Sequence, residues 1–252
     1  LNSKNAWRIL GQESYAFEVA QWRGWDLSGT CVFVPIGNAG NITAIMAGFL
    51  KLLDLGLIEK LPRIFGVQSH HADPVYRYYN VDDPAKRQYA PVSVTPSVAQ
   101  AAMIGNPVSF PRVRHFAERY EALGGAHSFQ VVQVTEQAIM DGMLLANRHG
   151  HIACTQGGEC LAGALRAKEL GLVTEQELCI LDATAHHLKF IGFQDQYFQN
   201  SFPPEFGVTP RAELSNRPEL VITPEDKDRL SAEEYTAAAA AKVVERLGLA
   251  RR

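Results

Sequence analysis

The run Cys31–Ile42, CVFVPIGNAGNI, constrains the fold more than any other segment. Its first half is a continuous apolar stretch with β-branched residues, the pattern of a strand covered on both faces. The strand is placed at 30–36. A turn rich in Gly and Asn follows, and then a helix over 42–55 carrying Ile42, Ile45, Met46, Phe49, Leu50, Leu52 and Leu53, closed near Gly56. Arg63–Gln68, RIFGVQ, reads as a second strand. Strand, helix, strand in this order is a βαβ unit, so the sheet is expected to be parallel.

The pattern continues downstream. A short helix is expected over 97–103, capped by Ser97, and another over 112–123, stopped by Gly124-Gly125. A strand over 129–134 leads into a helix from the Thr135 cap to about His149. A small-residue helix is placed at 158–170, and Thr174–Glu177 fits a capping box. The last strand is 178–183. The chain then reads as irregular to about Pro218, before Thr223-Pro224 and Ser231–Glu234 start helices. The fold class is therefore α/β, a mostly parallel twisted sheet with helices on both faces. Residues 1–220 form its main body and 221–252 a helical extension.

With 252 residues, 46% of them hydrophobic, the chain can bury a sizeable core. A net charge of −3 without basic runs gives no nucleic-acid or membrane surface. Cys31, Cys154, Cys160 and Cys179 lack CxxC spacing, which points to reduced thiols and a cytoplasmic setting. The chain opens at Leu1 rather than Met, and its first residues already carry candidate ligands; it is expected to be part of a longer polypeptide.

Four segments carry candidate chemistry. In Gly37–Asn41, GNAGN, backbone N–H groups at a helix start would cradle a phosphate; an ordinary βα turn favours the same residues. The turn lacks the Lys-Ser/Thr of a nucleotide P-loop and is not GxGxxG, which favours a cofactor phosphate over a nucleoside triphosphate. Asn2, Ser3, Asn5 and Arg8 form a dense set of donors suited to a second phosphate, or a solvated chain end. Ile104–Pro107 reads as a helix stop. Thr184–Lys189, TAHHLK, follows a buried strand, at the strand ends where ligands gather in open α/β sheets. Its adjacent histidines point to opposite faces and lack HxxxH spacing, so no metal is expected. No Gly-x-Ser-x-Gly elbow is present.

Four segments in order, LNSKNAWR…GQ, VPIGNAGNITA, AMIGNP and LDATAHHLKF, resemble the threonine synthases, pyridoxal-phosphate (PLP) enzymes of the fold shared with tryptophan synthase β and threonine dehydratase. The likeness runs from residue 1 to about 210. It implies the large domain of PLP fold type II, incomplete here. It implies that Gly37, Asn38, Ala39, Gly40 and Asn41 hold the PLP phosphate and that Thr184 meets the pyridine nitrogen. Ser3, Arg8 and Asn41 would bind the phosphate of the substrate, O-phosphohomoserine, supported by Asn2 and Asn5. The implied products are L-threonine and phosphate.

Two departures qualify this. The family's Schiff-base lysine sits in a Ser/Ala-Phe-Lys-Asp segment that none of the eight lysines here matches, so it is expected upstream, and the chain alone is expected to be inactive. Cys154–Gly158 stands where related enzymes often carry Glu-Pro-x-Ser/Ala, leaving the ring-face contacts open. A serine/threonine dehydratase and a non-catalytic phosphate-binding homologue are the alternatives. Edges and apolar surface left uncovered by the missing part would favour self-association, as in a homodimer.

Overall fold

The computed structural model describes residues 3–215 and 220–249. Four parallel strands form one sheet: β1 (Thr30–Pro35), β2 (Arg63–Ser69), β3 (Phe129–Val134) and β4 (Leu178–Leu181). Their order is β3-β2-β1-β4. Phe33 of β1 lies opposite Phe65 of β2 and Leu181 of β4. The chain thus builds outward from β1 in one direction, then returns to place β4 on the other side. That reversal makes the β1/β4 boundary a topological switch point, where a crevice opens beyond the strand ends.

The continuous apolar pattern of the strands has its physical cause in two cores. Alternate residues feed opposite faces: Val32, Val34 and Ile64 join one cluster, and Cys31, Phe33, Phe65 and Val67 the other. The Phe33 and Phe65 rings stack with centroids 4.7 Å apart. On the first face pack α2 (Ser14–Trp22), α3 (Gly40–Asp54) and α5 (Phe110–Gly124), and α1 (Ala6–Gln12) lies against α3. Between β2 and α5 the chain makes a short helix, α4 (Pro74–Tyr79). On the second face lie α6 (Glu136–Arg148) and α7 (Thr155–Glu169). Helix α7 presses so closely on β2 that a Cβ added at Gly163 would stand 2.5 Å from Val67 Cγ2. A further helix, α8 (Ile191–Gln199), follows β4, with Tyr197 in the second core.

Several sequence expectations need correcting. Residues 97–103 make only a 3₁₀ turn, Gln100–Ala102. Ser97 is drawn away from helix capping because its hydroxyl donates to buried Glu136 at 2.9 Å, although it still accepts from the Ala99 N–H at 3.1 Å. Thr174 and Glu177 make one of the two bonds of a capping box, from the Thr174 N–H to the Glu177 carboxylate, but the Thr174 hydroxyl donates to that same carboxylate, and the pair closes a turn before β4 with no helix behind it. Helix α7 starts at Thr155, three residues before the expected 158, because the Cys154 thiol accepts from the Gly157 N–H. Helices α1 and α8 lie where no helix was expected. Each is short, so the apolar repeat that reveals a helix hardly develops.

Backbone contacts divide the chain into one unit up to Leu214 and a second from Ser215. The second unit contains α9 (Pro224–Arg229) and α10 (Ala232–Arg246), each opened by a full capping box, from Thr223 with Asp226 and from Ser231 with Glu234. Lys242 of α10 reaches Asp226 at 3.7 Å. Among the described residues, no helix is long and apolar enough to cross a membrane.

Candidate functional site

Chain leaving β1 turns sharply at Gly37–Ala39 before α3 begins. Ala39 adopts the left-handed conformation, φ 63° and ψ 13°, and no side chain caps α3. The first N–H groups of a fifteen-residue helix are thus left without a capping side chain, and the helix end carries partial positive charge. Residues Gly37–Asn41 line a cavity of about 400 Å³ beside them. Thr184, beyond the end of β4, lines it too, as do Ser3 and Arg8 from the N-terminal segment. Its size lies within the range of roughly 300–1,000 Å³ usual for small-molecule sites. A larger cavity, about 590 Å³, opens beside α6 and α7; it contains none of the candidate residues, and its Arg211 is already paired with Asp141 at 3.0 Å.

Most of the residues singled out in sequence therefore meet. Asn5 does not line the cavity; it is the N-cap of α1, and its side-chain oxygen accepts from the Arg8 N–H at 3.2 Å. It thus fixes the turn that carries Arg8. Asn2 lies outside the described residues. The Ile104–Pro107 segment is structural: the Gly105 carbonyl accepts from the Val92 N–H at 2.9 Å, and Asn106 accepts from the Tyr89 hydroxyl. The two histidines after Thr184 also serve the fold. His186 accepts from the Leu188 N–H, and the ring of buried His187 lies 3.1 Å from the Ala153 carbonyl, joining the exit of β4 to the start of α7. The four cysteines are unbridged.

The structure adds residues that sequence reading passed over. Ser109 ties two distant parts together: its N–H donates to the Asn38 carbonyl at 3.2 Å and its hydroxyl to the Ser3 carbonyl at 3.3 Å. Arg112 also donates to that Ser3 carbonyl. Glu136, 1% exposed, accepts from Ser69, from Ser97 and from the Val98 N–H, the last at 2.6 Å. These bonds hold the loop from which Ala101 and Ala102 form part of the cavity wall. Asp182 and Gln12 line the cavity as well. The Asn41 amide donates to Asp182 Oδ2 at 2.5 Å and accepts from Gln12 Nε2 at 3.3 Å. Burial raises the Asp182 carboxyl to about 6 against the opposing pull of that Asn41 bond. The only sequence signal for Asp182 was its place at the end of a buried strand.

An anionic group suits this donor set. The helix start offers backbone N–H groups, Ser3 a hydroxyl and Arg8 a guanidinium, while the approach is tight enough that a Cβ at Gly40 would lie 2.9 Å from Ser3 Oγ. The residues present thus fit a phosphate-bearing cofactor.

Comparison with known proteins agrees. Residues 2–181 match the family described as pyridoxal-phosphate dependent enzyme. The chain is 31% identical over 189 residues to threonine synthase 2, chloroplastic, of Arabidopsis thaliana, covering 75% of this chain and 35% of that protein. It is 30% identical to threonine synthase of Methanocaldococcus jannaschii, covering 75% of this chain and 44% of that one. The chain thus spans less than half the length of these relatives. Among solved structures, threonine synthase from Escherichia coli superposes with a TM-score of 0.59 at 21% identity, over 94% of this chain and 45% of that one. PLP-bound threonine synthase from Brucella melitensis gives 0.54 at 19%, over 87% and 48%. These two show the fold, and the family match over residues 2–181 shows the lineage. The chain belongs to the pyridoxal-phosphate dependent enzymes.

Proposed function

We propose that this chain is the C-terminal part of the large domain of a threonine synthase, which converts O-phosphohomoserine and water to L-threonine and phosphate. One observation carries the reading: the GNAGN turn, Thr184, Ser3 and Arg8, far apart in sequence, line one cavity. When bound, PLP supplies an electron sink that makes protons near the substrate's amine-bearing carbon removable. Gly37–Asn41 hold its phosphate at the start of α3. The Thr184 hydroxyl meets the ring nitrogen and, being neutral, does not keep that nitrogen protonated as a carboxylate would.

Ser3, Arg8 and Asn41 take the substrate's phosphate. Asn5 steadies the turn that carries Arg8, and Asn2 joins the set by sequence resemblance alone. A guanidinium fork with small donors is the chemistry a phosphate monoester calls for, and it would be idle in an enzyme of unphosphorylated serine or threonine. Among the described residues no lysine lines the cavity. The anchoring lysine is accordingly assigned to a segment outside these 252 residues, and the chain alone is expected to be inactive.

Phosphate release from O-phosphohomoserine with added PLP tests this, with the chain alone and joined to a lysine-bearing N-terminal segment. Release only from the joined protein is the expected result. Release by the chain alone would make one of its eight lysines the anchor and overturn the map of the site. No release from either would remove the threonine synthase reading.

A further inference from the structure

Asp182 is the only acidic residue among the described residues that line the cavity, and it is 7% exposed. An ionised carboxylate there opposes any phosphate dianion that enters. It is also built into the site. Gln12 from α1 donates to Asn41 Oδ1 at 3.3 Å, and Asn41 from α3 donates to Asp182 Oδ2 at 2.5 Å. With its oxygen engaged by Gln12 and one N–H by Asp182, the Asn41 amide keeps its second N–H for a ligand. A protonated Asp182 still offers Asn41 a carbonyl acceptor, and it gains an O–H that can donate to an anion.

We propose that Asp182 is a proton-linked positioning residue: it fixes the Asn41 amide as a donor, and it takes up a proton when a dianion enters the cavity. The inference rests on reading this cavity as a phosphate site. Burial holds the carboxyl at about 6, opposed by the Asn41 bond, so an incoming dianion pushes it further in the same direction. Two titratable groups are coupled to it. Tyr15 of α2 is raised by burial and then by Asp182 and Cys160; Cys160 of α7 is raised well above its usual range by burial and then by Asp182. Both stay neutral. Arg8 of α1 lines the same cavity, and Gln12, Asn41 and Thr184 do not titrate.

The sign follows. Below pH 6 the proton is in place and dianion binding costs nothing extra. Above it the proton must be taken up first, so the apparent Kd rises, by up to about tenfold between pH 5 and 7. Sulfate is the probe, a dianion whose charge is constant over this range. Its binding is measured by calorimetry from pH 5.5 to 8, in buffers of different ionisation heat, for the wild-type chain and for Asp182→Asn. PLP binding is followed in parallel by fluorescence.

Expected are weakening of sulfate binding with rising pH, uptake of up to about one proton per sulfate near pH 7, and a flat profile in Asp182→Asn. If that variant does not fold, the wild-type proton count decides. Sulfate binding that is independent of pH and takes up no proton overturns the role of Asp182 while leaving the anion site standing. Failure of both sulfate and PLP to bind at any pH overturns the anion site, and this inference with it.

Discussion

Replacing Gly40 by Ala separates the stability of the turn from its function. Gly40 is the first residue of α3, and the left-handed residue of the turn is Ala39, so no positive φ stands in the way of a side chain. What stands in the way is Ser3. The new methyl would lie 2.9 Å from Ser3 Oγ, 3.0 Å from Ser3 Cβ and 3.3 Å from Ile9 Cδ1. Ser3 is pinned through its carbonyl by Ser109 and Arg112, so its backbone resists displacement and the hydroxyl must swing aside. Rotating the hydroxyl relieves the closest approach, Ser3 Cβ and Ile9 Cδ1 must each give by a small amount, and the better helix propensity of Ala, at most about 0.8–1 kcal/mol in a helix interior, offsets part of that strain. Unfolding stability should therefore change by less than about 1 kcal/mol.

Ligand binding should respond differently. A hydrogen bond to a charged group contributes about 1.5–3 kcal/mol, so losing the Ser3 donor weakens a phosphate by roughly 10- to 150-fold. The assay is titration of O-phosphohomoserine into PLP-loaded protein, beside urea unfolding of the same preparations. A second background tests the route: in Ser3→Gly there is no hydroxyl for the methyl to displace and only Ile9 Cδ1 remains near it, so adding Gly40→Ala should cost little more. Unchanged affinity in Gly40→Ala, or a full second loss in the Ser3→Gly background, would refute the argument.

Other perturbations, with turnover read in the protein joined to a lysine-bearing segment, probe the same map. Thr184→Val changes an exposed residue and should leave stability within about 0.5 kcal/mol; turnover should fall, and an intact kcat would unseat Thr184 as the ring-nitrogen partner. Arg8→Ala should raise the KM for O-phosphohomoserine by about tenfold or more with PLP affinity retained, and an unaltered KM would point to an unphosphorylated amino-acid substrate. Glu177 predicts an acid limb of stability. Burial pushes its carboxyl up, but the Thr174 N–H, Arg63 at 2.7 Å and Cys31 outweigh this and hold it down from 4.5 to about 2. Because the folded pKa is depressed, this contribution is complete above about 4.5 and disappears as pH falls towards 2. Unfolding of Glu177→Gln should show lower stability at pH 7 and a smaller loss across that window; identical curves for the two proteins would exclude the linkage.

The sequence by itself determined the parallel architecture. The strands at 30–36 and 63–68 carry apolar runs that call for cover on both faces, the β-branched stretch at 129–134 adds a third strand, and the helices between them carry their own periodicity. It also marked the GNAGN turn, because glycine and asparagine in a sharp turn are a local necessity. The Thr223 and Ser231 helix starts were legible for a similar reason, since their capping bonds span only three residues.

Tertiary structure alone decided the rest. Ser97 is a cap by local rule, but a buried carboxylate 39 residues away competes for its hydroxyl. Asp182 lies 141 residues from Asn41, and Ser109 lies 106 from Ser3; no periodicity records such pairs. That β4 lies beside β1, and not beyond β3, is likewise a pairing between distant parts of the chain that no local pattern records. Local bonds depend on spacing along the chain and can be read there. A buried acid and the amide that satisfies it meet only because the fold closes, and their energy depends on an exclusion of water that exists only once it has.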